Sequence, residues 1–186
     1  MKKQNRSHAL TAMAVLVLVV LACSVGDDTD QANKLVEEGN AAVREFNKFA
    51  TEAEEHRQKM LHSEVSNAAE LAEARTIAKE TIAIYDKAAG KCKEAAKKFD
   101  EASKLKIKDK FKEYLTLKAK ELNKRAEVFE SAKGTPQALI DSDSRSTFTS
   151  QANATNEKTD KLSKEADDLG AQAEKLQTAN PDAVKS

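Results

Sequence analysis

LAEARTIAKETIAIYDKAAGKCKEAAKKF, residues 71–99, is the stretch whose reading decides the fold. Within it Leu71, Ala74, Ala78, Ile82, Tyr85, Ala89, Cys92, Ala96 and Phe99 recur at intervals of three and four. A helix of about 3.6 residues per turn lines such positions up on one stripe, while a strand would need alternation. Four of the nine positions are alanine, which lets a second helix approach closely. Working outward, the same spacing recurs before it in Val36, Gly39, Val43, Phe46, Ala50 and Ala53. It recurs after it in Phe111, Leu115, Ala119, Leu122, Ala126 and Phe129. A last series runs Phe148, Ala152, Thr155, Thr159, Leu162, Ala166, Leu169, Ala173 and Leu176. No long run alternates. The expected fold is all-α, an elongated antiparallel bundle of four helices with coiled-coil-like heptad seams.

Composition agrees with long packed helices. There is no tryptophan, aromatics are 4% of residues, charged residues are 33%, and only two prolines occur, Pro136 and Pro181. Gly134 followed by Pro136 predicts the end of the third helix, leaving a polar loop over residues 135–144. The seam changes phase near residues 104–110, which predicts a turn with Asp109 as its cap. At residues 61–66 no Gly or Pro marks a break, but Arg57, Glu64 and Asn67 fall on the seam, where a core rejects them. A hairpin is expected there, with Ser63 or Ser66 capping the second helix; one continuous helix is the alternative. Exposed pairs four apart, Glu55–Lys59, Glu94–Lys98, Glu121–Arg125 and Glu157–Lys161, are expected on the outer faces.

The chain begins with Lys2, Lys3 and Arg6 and no acid, followed by ALTAMAVLVLVVLA over residues 9–22. A basic start, a short apolar run and a small residue at the cut have the form of a secretion signal. The run falls short of the ~20 residues that span a bilayer. Val20-Leu21-Ala22-Cys23 closes it and resembles the lipobox of bacterial lipoproteins; the resemblance covers residues 1–23. It implies cleavage before Cys23, a diacylglyceryl group on its thiol and fatty acylation, palmitate being the typical chain. Each buried methylene contributes about 0.8 kcal/mol, so two or more chains hold a protein on a membrane without a spanning helix. Ser24 after the cysteine resembles the outer-membrane-sorted class. The expected division is a signal peptide over 1–22, a lipidated tether over 23–29, a helical bundle over 30–180 and a tail over 181–186.

Removal of residues 1–22 takes three bases and no acid, so 31 basic and 31 acidic residues become 28 and 31. The mature chain is therefore slightly acidic, which gives no reason to expect nucleic acid as a partner. Residues 91–125 depart from that balance with 13 bases and six acids. Within them Lys104, Lys106, Lys108, Lys110 and Lys112 alternate with other residues at the expected turn. If the bundle runs up and down from Cys23, that turn points back at the membrane and the lysines meet anionic head groups. The loop at 135–144 then lies at the far end, where Leu139 and Ile140 either plug the bundle or contact a partner.

Chemistry has no candidate. His56 and His62 are six apart and fall on different helix faces, and neither has the Glu three residues before it that a di-iron site requires. Asp141-Ser142-Asp143 opens like a calcium loop but lacks its glycine and closing acid. Cys92 sits among alanines as a small hydrophobe. No metal, cofactor or catalytic residue is expected, and the reading is of a non-enzymatic protein. Its role is structural or interactive, anchored in the bacterial cell envelope. In a two-membrane envelope that is the periplasmic side of the outer membrane, with an envelope protein as partner. The alternative is a carrier of a lipid or small ligand. The heptads also resemble those of helical envelope lipoproteins such as murein lipoprotein. The chain closes on Lys185-Ser186, without the terminal lysine that family joins to peptidoglycan, so no such linkage is inferred.

Overall fold

Alanine-rich segments with apolar residues every three or four positions gain little from isolated helix formation. They become stable when their stripes pack together. Among the described residues of the computed structural model they do so as four long helices and two short ones. These are α1 (Thr29–His62), α2 (Ala68–Ser103), α3 (Asp109–Ala132), α4 (Gly134–Asp141), α5 (Arg145–Ala179) and α6 (Pro181–Val184). The structure describes residues 28–62 and 67–184. The expected signal peptide, Cys23 and the tether up to residue 27 lie outside the described residues, as do Ser63 and Ser66. Among the described residues there is no strand. The protein is an all-α helical bundle.

Contacts between helices fix the direction of each. Glu38 meets Lys98 at 2.6 Å, Glu45 meets Lys91 at 2.6 Å, and His56 approaches Glu80 at 3.8 Å. Numbers rising along α1 thus fall along α2, so the two form an antiparallel hairpin. The same reversal relates α2 to α3 through Asp86–Lys133 and Lys93–Glu130. It relates α3 to α5 through the Glu121–Gly170 contact and the Ser131–Thr159 hydrogen bond. α2 is capped by neither Ser63 nor Ser66 but by Asn67, whose Oδ1 accepts the amides of Ala69 and Glu70, each at 3.0 Å. The same amide that argued against a continuous seam starts the new helix.

Every position expected on the first and third seams is buried. A layer of three rings joins α1, α2 and α3. Phe129 stands edge-on to Phe46, with centroids 5.6 Å apart, and to Tyr85 at 5.7 Å. Gly39 permits close approach of α1 and α2, since a β-carbon there would lie 2.7 Å from the Phe99 ring. The fourth seam is shallower. Ala152, Ala166 and Ala173 are buried, whereas Phe148, Leu162, Leu169 and Leu176 are only half-buried. Among the other long helices only α3 has backbone within 8 Å of α5.

Three expected boundaries change. Asp109 is the first helical residue of α3 and not its cap; Lys108 holds the cap position without a side-chain bond. The acid still favours the positive end of the helix. Residues 135–144 are not an open loop, because α4 resumes the helical path at Gly134 after the single residue Lys133. Pro136 falls in its first turn, where a missing N–H leaves no bond unmade. The tail expected at 181–186 includes α6, whose Val184 is buried.

Candidate functional site

Two ends and one lateral interface concentrate the polar structure. At the first end the chain enters beside the α2–α3 turn. Asp28 donates its amide to the Lys106 carbonyl at 3.0 Å, and the Lys106 amide donates to Asp28 Oδ2 at 2.9 Å. Short sequence separation from Cys23 follows from the chain itself: five residues reach at most about 18 Å. α6 returns to the same place, where Lys108 Nζ donates to the Asp182 carbonyl at 3.3 Å.

The turn carries the five lysines together. Lys104, Lys106, Lys108 and Lys110 are exposed and Lys112 is half-buried. Their charge is partly answered, since Lys104 pairs with Asp100 at 2.5 Å and Lys110 with Glu113 at 2.8 Å. Folding also brings Asp28, Asp30 and Asp182 to this end. The surplus counted along residues 91–125 is therefore diluted by acids from the two termini of the bundle.

At the opposite end α4 packs across α2 and α5. Arg75 of α2 ties it down, donating from Nη2 to the Ser142 carbonyl at 3.0 Å and from Nε to the Leu139 carbonyl at 3.4 Å. Leu139 and Ile140 are each half-buried. They belong to a short helix braced against the bundle, and not to a free loop.

The lateral feature is a charged group beneath α5. Lys118 Nζ lies 2.5 Å from Glu121 Oε2, and Arg125 Nε lies 2.9 Å from Glu121 Oε1. Glu121 is 1% exposed and Lys118 is 5% exposed. Gly170 of α5 is what closes over the carboxylate: a β-carbon there would sit 3.2 Å from Glu121 Cδ. The Glu121–Arg125 pair expected on an outer face is thus part of an interior cluster. The sequence carried a signal that went unread. Lys118, Glu121 and Arg125 repeat at three and four beside the seam residues Ala119, Leu122 and Ala126, so they flank the core and need only one more helix to be covered.

Other polar groups are spread along α1. Asn33, Asn40 and Asn47 stand one heptad apart, the first two buried, and carry buried side-chain atoms without a protein partner. His56 Nδ1 is likewise buried without a hydrogen bond, while His62 is exposed and donates from Nδ1 to the Gln58 carbonyl at 2.8 Å. The thiol of Cys92 is fully buried, and that burial pushes its pKa up to about 12, so it is held protonated and unreactive. Burial also lifts the phenols of Tyr85 and Tyr114 to about 12. Among the described residues no group of three or more His, Cys, Asp or Glu is placed to hold a metal. Nor, among them, is any helix long and apolar enough to cross a membrane. No protein-family model matches the chain, and neither the curated proteins nor the solved structures contain a match.

Proposed function

We propose that the protein is a lipid-anchored helical module of a bacterial envelope, serving a structural or protein-interaction role and performing no catalysis. The observation that carries this reading is the double hydrogen bond between Asp28 and the Lys106 backbone. With acyl chains on Cys23, it would hold the lysine turn within about 18 Å of the bilayer. The lysines then face the head groups, each worth at most about 1 kcal/mol near an anionic surface and less where an acid already pairs with it. α4, with Leu139 and Ile140, stands at the far end of helices about 36–54 Å long, clear of the membrane and facing an envelope partner.

Expression in a bacterial host with palmitate labelling and intact-mass analysis tests the anchor. The expected product starts at Cys23 and carries acyl mass, and Cys23→Ala releases the protein from the membrane fraction. A mature form without acyl mass ends the proposal. The far-end surface has its own test: Leu139→Asp with Ile140→Asp leaves a folded protein that no longer crosslinks to its envelope neighbour. Unfolding of that variant assigns both residues to packing alone.

A further inference from the structure

We propose that α5 is a releasable arm, opening from α3 about a hinge at residues 142–144 while α1, α2 and α3 stay packed. This rests on the packing of the bundle and is independent of how the protein is anchored. The first support is the character of the seat. The buried positions of α5 are small, namely Ala152, Ala166, Gly170 and Ala173, and its leucines remain half-buried. Docking the arm removes water from Glu121 and Lys118, which are charged. Undocking returns water to both, so the step that exposes a little apolar surface also relieves a buried ion cluster. Nothing comparable favours opening of the aromatic layer between α1, α2 and α3, where separation would expose whole rings.

The second support is mechanical. Ser142 and Ser144 are extended, at φ −80°, ψ 134° and φ −142°, ψ 151°, between two helices. Arg75 holds α4 and the Ser142 carbonyl to α2, so the backbone is gripped just before the hinge. The other end has a clasp. Val184 of α6 is buried against the core, and Lys108 Nζ meets the Asp182 carbonyl. Between hinge and clasp α3 holds the arm by two ion pairs, Arg125–Asp167 at 3.3 Å with Asp167 63% exposed and Lys124–Glu165 at 3.2 Å, and by a half-buried hydrogen bond from Thr159 Oγ1 to Ser131 Oγ at 3.1 Å. Opening uncovers the row Leu162, Leu169 and Leu176, one heptad apart, together with the Lys118–Glu121–Arg125 cluster.

Native-state hydrogen exchange on the purified full chain, read by mass spectrometry in rising sub-denaturing urea, tests the arm. Amides of residues 150–178 should exchange on the order of 100-fold faster than those of residues 84–99, with a weaker urea dependence, as a sub-global opening does. Gly170→Val, which places a branched side chain against Glu121, should speed exchange in α5 by about tenfold and leave α2 unchanged. Exchange of α5 and α2 in a single transition with one urea dependence would overturn the proposal. So would an equal acceleration of both helices by Gly170→Val.

Discussion

The α1–α2–α3 core and the α3–α5 interface are built from the same spacing of residues and are held together differently. In the core, alanines bring backbones close, and Phe46, Tyr85, Phe99, Phe111 and Phe129 fill the layers between them. At α5 the close approach is made by alanines and Gly170, but the neighbouring positions present a carboxylate, an ammonium and a guanidinium. A heptad seam therefore fixes which side of a helix turns inward without fixing how firmly it is held. Firmness depends on what stands opposite.

The largest expected contrast comes from truncating one apolar side chain on each side of the comparison. Phe129→Ala removes a ring touching both Phe46 and Tyr85 and should destabilise the protein by about 3–5 kcal/mol in urea unfolding. Leu169→Ala, at a half-buried site, should cost about 1 kcal/mol. Equal costs would mean that the two interfaces are equally firm.

The charged cluster sharpens the contrast further. Glu121→Gln leaves Lys118 and Arg125 without their buried anion and should cost about 3 kcal/mol. Replacing Glu121 and Lys118 together by methionine should be neutral or stabilising by about 1 kcal/mol or more, because no unpaired buried charge remains except the partly exposed Arg125. A double variant as unstable as the single one would show that the cluster adds net stability.

The third test is alkaline titration, which loads both sides of the comparison, with Cys92 and Tyr85 in the core and Tyr114 near Glu121 and Glu174 of α5. The folded pKa values of Cys92, Tyr85 and Tyr114 are raised by burial, so the unfolded chain ionises first and stability falls as pH rises. The loss should begin near pH 9 with the thiol and steepen above pH 10 with the phenols, by up to about 1.4 kcal/mol per group per pH unit. It should level off near pH 12. Cys92→Ala should remove the part that begins near pH 9 and leave the later part in place, as read by chemical unfolding across pH 8–11.

The legible parts of the fold were those set by local periodicity. Tyr85, Cys92, Phe99, Leu115 and Phe129 were placed inward by spacing alone, and each is buried. Boundaries were less legible because caps depend on geometry that composition does not carry. Asn67 was read only as a misfit on a seam, and Pro136 as a stop although it serves as the opening of α4. At the α2–α3 turn the five lysines were visible as a run, with Asp100 and Glu113 beside them, but the segments that fold against the turn were not. Asp28 and Asp182 lie far along the chain and arrive there only by folding. Glu121 was misplaced for the same reason, since the helix that covers it begins 24 residues later.

Sequence by itself determined that this chain makes long antiparallel helices with alanine-lined inner faces. The cause is local: side chains three and four apart share a face, and few residues here interrupt a helix. Only the tertiary structure decided that Asp28 clamps the α2–α3 turn, that Arg75 braces α4, and that Gly170 seals a charged cluster. Each of those contacts joins segments distant in the chain. Their burial is set by where the helices pack, a property that no single stretch of residues contains.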